Sequence, residues 1–190
     1  MRAIVAVTLS FLLTGCAIRN DYAYIQPERM QTKASPLSTL SLTVEDLRAS
    51  TDVGSIKNIL GMKTGRILPK TPIATTLYES LAHRLASYGV AVEASPLKLS
   101  VDIKRCYSEY TTGLFITKVK AQVTLSIKLL SSGEALLYEG DIQGKGILSP
   151  VFLYSGKNTA KAISLALQQT LDKLCDEILP LVTTRKEKSP

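Results

Sequence analysis

The chain is 190 residues long, 45% hydrophobic and 21% charged, with 23 Lys and Arg against 16 Asp and Glu and a net charge of +7. That length fits one domain with short extensions, and the apolar fraction is too high for a disordered chain. One His and three Cys are too few for a zinc cage, so no metal or cofactor is expected, and no apolar run reaches the ~18 residues of a spanning helix.

Residues 1–15 have the form of a signal peptide. Arg2 is a short positive region and Ala3 to Leu13 an apolar stretch, too short to stay in the membrane as an anchor. Leu13-Thr14-Gly15-Cys16 follows. Small residues before a cysteine suit a peptidase that needs a slim chain, and the thiol is a nucleophile for lipid attachment. This stretch resembles the lipobox of bacterial lipoproteins. The resemblance implies diacylglycerol on the Cys16 sulfur, cleavage before Cys16 and acylation of the new amine. Several acyl chains anchor stably, each buried CH₂ contributing ~0.8 kcal/mol. Residue 17 is Ala rather than Asp, which by Gram-negative sorting rules implies the periplasmic face of the outer membrane.

Residues 16–38 read as the lipidated cysteine and a tether, extended at Pro27 and Pro36. The Tyr22-Ala-Tyr24-Ile25 patch is taken as simple linker, the alternative being that it docks on the domain or a partner. The domain itself is expected over 39–180. Leu40, Leu42 and Val44 alternate with polar residues as a half-buried strand. Ser50 to Lys70 reads as a long irregular loop with Gly54, Gly61, Gly65 and a basic excess. Thr71 is the expected cap of a helix with Pro72 in its first turn, Ile73, Leu77, Leu81, Leu85 and Tyr88 on one face, and Gly89 as its stop. A short strand at Val90–Val92 comes next.

Leu97 to Ile103 alternates again as a second long strand, and Leu114 to Leu130 is the clearest strand of all, with Phe115 and the odd positions Val119 to Leu129 sharing one parity. A turn at Ser131–Glu134 leads into a returning strand to Ile147, with Leu136, Tyr138 and Ile142 inward. A second loop spans Ser149 to Lys157. Asn158 is the expected cap of a last helix, Ile163, Leu167, Leu171, Leu174 and Ile178 its buried stripe, and Pro180 its end. Residues 181–190 form a basic tail. This order predicts an α+β two-layer sandwich: a mostly antiparallel sheet of four to five strands with two helices on one face.

The lipobox, a first strand Leu40-Ser-Leu-Thr-Val-Glu-Asp46, the glycines Val53-Gly54 and Gly61, a helix ending in Leu85-Ala-Ser-Tyr88-Gly89-Val90 and the strand Leu97-Lys-Leu-Ser-Val-Asp-Ile103 together resemble the YajG-type bacterial lipoproteins. In architecture these are similar to auxiliary lipoproteins of envelope transport systems. The resemblance covers residues 13–180 and implies a location and a fold, with no enzymatic activity.

Chemistry-bearing motifs are scarce. Gly140-Asp-Ile-Gln-Gly144-Lys145-Gly146 has three residues where a phosphate loop needs four, and no hydroxyl after the lysine. Ser95-Pro-Leu-Lys98 and Lys63-Thr-Gly65 stand in the reverse of the penicillin-binding order. His83 falls off the apolar stripe of its helix, so it reads as a surface residue. Cys106 and Cys175 are either two free thiols or a disulfide; Cys106 has the outward parity of its strand, which opposes the bond unless a bulge resets it. Lys98, Lys104, Lys118, Lys120 and Lys128 share the outward face of adjacent strands, either as a solvated face or as a surface for an acidic partner. The apolar loop residues Ile59, Leu60, Met62, Phe152, Leu153 and Tyr154 are candidate partner contacts, or alternatively satellite core.

The reading that follows is a non-enzymatic outer-membrane lipoprotein serving as accessory subunit of an envelope secretion or transport complex. Its partners are the membrane, through Cys16, and another envelope protein, with no nucleic acid. The rival is a lipid or lipopolysaccharide handling module, which predicts an apolar groove between helix 71–88 and the sheet, rimmed by lysines.

Overall fold

A computed structural model describes residues 20–27, 38–57, 61–112, 117–151 and 154–183. The elements in chain order are β1 (Asp21–Ala23), β2 (Ser38–Asp46), β3 (Gly54–Lys57), β4 (Lys63–Pro69), α1 (Ile73–Ser87), β5 (Val90–Val92), β6 (Lys98–Thr112), β7 (Thr117–Leu130), β8 (Leu136–Val151) and α2 (Gly156–Thr183). The fold is α+β with two helices and two sheets, and the larger sheet curls into a half-barrel.

The larger sheet has the order β5-β2-β6-β7-β8. Its β6–β7–β8 meander is antiparallel, as the alternating patterns predict, and every second residue of β7 from Val119 to Leu129 is buried. β2 pairs in parallel with both β5 and β6. Alternation reports which face of a strand is dry, but not which way its neighbour runs. The expected single sheet is therefore corrected to two, with parallel pairs in both.

The second sheet, β1-β4-β3, occupies sequence that reads as loop and tether. β3 and β4 form an antiparallel hairpin within Ser50–Lys70. β1 pairs in parallel with β4, Asp21 opposite Ile67 and Ala23 opposite Pro69. Residues 21–25 are thus part of the fold rather than linker, with Ala23 and Ile25 buried. Asp21–Ala23 lies in a stretch without a sustained period, and the strand is held by Lys70 N–H donating to Ala23 O at 2.9 Å.

Parity changes within β6. Leu99, Val101 and Ile103 are buried; a bulge between Ile103 and Arg105 turns both Lys104 and Arg105 outward; Cys106, Ser108 and Tyr110 are then buried. One extra residue flips every later side chain to the other face. A register shift at Leu129/Leu130 acts similarly on β8: Leu136, expected inward, is 53% exposed.

Both helices lay their predicted stripes on one continuous core. In α1, Ile73, Leu77, Leu81 and Leu85 are buried, while Tyr88 is exposed beyond the last turn. Pro72 occupies the N-cap position without a side-chain cap, so Thr71 lies one residue too early for the role expected of it. Gly89 ends α1 at φ +76°. In α2 the cap is Ser155, whose Oγ accepts from Asn158 N–H at 3.3 Å, not Asn158 itself. The helix continues through Pro180 to Thr183, because Ile178 and Val182 are buried either side of the proline and hold the last turn on the core. The loop expected at 149–157 is shortened at both ends, since β8 extends to Val151 and α2 begins at Gly156.

Gly144 and Gly146 explain the glycine-rich stretch of β8. A Cβ on Gly146 would stand 1.9 Å from Ala162 O, and one on Gly144 2.2 Å from Ala166 O. They let α2 lie directly on the strand, glycine against alanine.

Candidate functional site

β1 and α2 together build a largely apolar concavity. β1 is fixed at its start by Asp21, whose Oδ2 accepts the Gly156 N–H at 2.6 Å. This places a carboxylate at the first turn of α2, where orphan N–H groups and the helix dipole favour negative charge. Gly156 is required there: a Cβ would meet Tyr22 O at 2.0 Å. About two turns along α2, Gln26 N–H donates to Ser164 Oγ at 3.2 Å. Between these two ties lies an open groove of about 750 Å³ floored by Leu148, Ala160 and Leu165 and walled by Tyr22 and Tyr24. Tyr22, Tyr24 and Leu165 are 50%, 64% and 46% exposed. Lys157 and Lys161 stand on its rim, and the Lys70 ammonium sits 5.6 Å from the Tyr22 ring centroid. The lysine-rimmed groove expected beside helix 71–88 thus lies against the other helix. On the α1 side of the same N-terminal segment is a more polar cleft of about 480 Å³, lined by Glu79, Ser80 and the exposed His83.

Most polar groups inside the fold are engaged structurally; the buried Ser38 Oγ has no hydrogen-bond partner among the described residues. Ser108 Oγ, fully buried, lies 3.1 Å from both Val53 O and Thr159 Oγ1. Tyr110 Oη donates to Ser155 O at 2.8 Å, and its ring lies 4.5 Å from that of Tyr154. Arg48 joins Asp46 at 2.7 Å to the Cys106 carbonyl at 3.1 Å. Arg66 grips both carboxylate oxygens of Asp52, which also bonds Ser50. That hydrogen bond from Arg66 outweighs burial and holds the Asp52 carboxyl below its usual pKa. Arg84, buried on α1, pairs with Asp172 on α2 and ties the helices together. Among the described residues no cluster of His, Cys, Asp or Glu is arranged to hold a metal ion.

Of the predicted contact residues, Met62 is 56% exposed at the β3–β4 hairpin, and Tyr154 is half-buried against Tyr110. Cys16, Ile59, Leu60, Phe152 and Leu153 lie outside the described residues. Cys106 and Cys175 are both free and buried. The bulge does turn Cys106 inward, and burial pushes both thiols up to about 12. Several of the outward lysines face carboxylates: Lys120 opposes Glu109 and Lys128 opposes Glu139 across the strands, and Lys104 lies 3.5 Å from Asp102 on its own strand. The face is a mixed-charge surface, so its basic appearance in the one-dimensional pattern is largely cancelled. At the open edge of the sheet, Gln169 and Lys173 of α2 bond the main chain of Lys145 and Gln143 and blunt it against strand addition.

Tyr22, Tyr24, Leu165 and the α2 lysines were not assembled from sequence. The signals were the Tyr-Ala-Tyr-Ile patch and a leucine off the helical stripe, but only the docking of β1 joins them.

Among solved structures, the fold is similar to a protein from Xanthomonas campestris at 18% identity and TM-score 0.58, covering 90% of this chain and 99% of that one. It is also similar to an uncharacterized protein at 14% identity and TM-score 0.55, covering 84% and 99%. A hypothetical protein from Chlamydia trachomatis aligns at 10% identity and TM-score 0.50, over 80% and 99%. These likenesses speak to the fold. No curated protein sequence matches the chain. Among the described residues no helix is long and apolar enough to cross a membrane. Residues 25–179 match the sequence profile of a family described as uncharacterized lipoprotein, and the chain belongs to that family.

Proposed function

We propose that the protein is a YajG-type lipoprotein of the outer membrane, held at the periplasmic face by lipid on Cys16 and acting without catalysis as accessory subunit of an envelope complex. The observation that carries this reading is a lipobox ending at Cys16 followed, from residue 25, by a match to a lipoprotein family. Supporting the non-catalytic part, three polar groups that could serve chemistry are committed to structural partners: Ser108 to Val53 O, Asp52 to Arg66, Asp21 to the α2 terminus. The mechanism is local concentration, since anchoring makes a weak contact with another membrane-held protein effectively intramolecular. The β1–α2 groove supports a second reading, lipid handling, because its floor is apolar and its rim cationic.

The test is crosslinking in intact cells, purification of the tagged lipidated protein and identification of what is attached, beside a Cys16→Ser control. A stoichiometric envelope partner that disappears in the control is the expected result. Recovery with co-eluting lipid and no protein partner overturns the accessory-subunit reading in favour of lipid handling.

A further inference from the structure

We propose that the face built by Tyr22, Tyr24, Leu165, Lys70, Lys157 and Lys161 rests on the phospholipid bilayer that holds the Cys16 lipid. The inference rests on the anchored reading of Cys16 and adds the orientation of the domain to it.

The first argument is reach. Asp21 is locked into the fold twice, by pairing with Ile67 and by its bond to Gly156 N–H. Cys16 is five residues earlier in the chain. A fully extended chain spans at most ~3.6 Å per residue, so the Cα of Asp21 lies within ~18 Å of the lipidated cysteine. A long tether would let every face of the domain sample the membrane equally. A five-residue link does not: it keeps the end of the molecule carrying β1 and the start of α2 within ~18 Å of the lipid attachment point, nearer the bilayer than the rest of the domain.

The second argument is the chemistry of that end. It exposes two tyrosines and a leucine around an apolar groove, and tyrosine has an apolar ring with a wet hydroxyl, which suits the interfacial zone of a bilayer. The third is charge. Lys157 and Lys161 line the groove and Lys70 sits by the ring of Tyr22 at its wall, positioned to meet anionic headgroups. Asp21, the carboxylate lining the groove, is occupied by the helix terminus. The groove's lining on α2 ends at Gln168, and the helix continues to Thr183, ~22 Å further at helical rise, so the β7–β8 turn lies beyond the far end of this face.

The absence of native Trp makes depth measurable. The mature lipidated chain carrying Tyr24→Trp is reconstituted in vesicles of phosphatidylethanolamine and phosphatidylglycerol with bromine-labelled acyl chains, beside a chain carrying Leu136→Trp. Position 136 lies twelve residues of β8 from Leu148, ~40 Å at strand rise. The indole at position 24 is expected to lose about half its emission and that at 136 less than about a tenth, as interfacial contact requires. Adding Lys157→Glu and Lys161→Glu should weaken quenching at 24 about twofold with co-flotation unchanged, as loss of headgroup attraction requires. If the chains co-float but the indole at 24 stays open to aqueous iodide and unquenched by bromine, the groove faces the periplasm and the orientation is refuted while the anchor stands. If the chains do not co-float, anchor and orientation both fall.

Discussion

Replacing Gly146 by alanine tests the packing of α2 on the half-barrel. The new Cβ would sit 1.9 Å from Ala162 O and 2.8 Å from Ala166 N. Ordinary contact begins near 3.4 Å, so α2 must retreat by about 1.5 Å at this crossing, and a retreat of that size forfeits much of the dispersion energy of its contacts. The side chains that lose contact are Ile163, Leu167 and Leu171, none more than 1% exposed. Overpacking a well-filled core costs ~1–3 kcal/mol, and the reduced freedom of the unfolded chain returns ~0.4–1 kcal/mol at most. The expected net loss is about 1–2 kcal/mol, with Tm lower by ~2–8 °C for a domain of this size. Urea unfolding followed by circular dichroism should show a lower midpoint at unchanged slope. Gly140→Ala is the internal comparison. Its Cβ would meet the Tyr138 ring, with Oη nearest at 3.0 Å, a side chain that can rotate aside, so the change should be within ~0.5 kcal/mol. If Gly146→Ala costs no more than Gly140→Ala, the close helix approach is not what the glycine is for.

Leu81→Ala removes a fully buried side chain from the α1 stripe and should cost ~2–5 kcal/mol by urea unfolding. Ser155→Ala removes the cap of α2 and should cost ~1 kcal/mol by the same assay. Asp52 has a folded-state pKa held below its unfolded value by the Arg66 hydrogen bond. Its stabilisation is therefore complete above the unfolded value of about 4 and is lost as pH falls through the folded one. Unfolding midpoints measured down that range should fall less steeply for Asp52→Asn than for the native chain; equal slopes would refute the assignment. With both thiols pushed up to about 12 by burial, Cys106 and Cys175 should resist a thiol reagent at pH 8 in the folded protein and both react in urea.

Where one period held over many residues, the pattern in the chain was enough. The alternation of β7 from Val119 to Leu129 and the stripes Ile73–Leu85 and Ile163–Ile178 are buried as read. In those elements a single dry face determines every second or every third-to-fourth residue, so hydrophobicity alone carries the information. β1 and β3 escaped for the converse reason, whereas the equally short β5 was legible as an apolar run between Gly89 and Pro96. β1 has three residues and β3 four, less than two full alternations, and their stability comes from partners far along the chain.

The sequence by itself determined the α+β class and the long amphipathic elements, because each depends on local period. Tertiary structure decided the rest. A bulge after Ile103 set which face Cys106 joins. Register across strands placed Glu109 and Glu139 against the lysines. The bond from Gly156 N–H to Asp21 turned an apparent tether into a strand and closed the groove. Each of these depends on a contact between residues distant in the chain, and no local pattern encodes which distant atom will supply the missing hydrogen bond or charge.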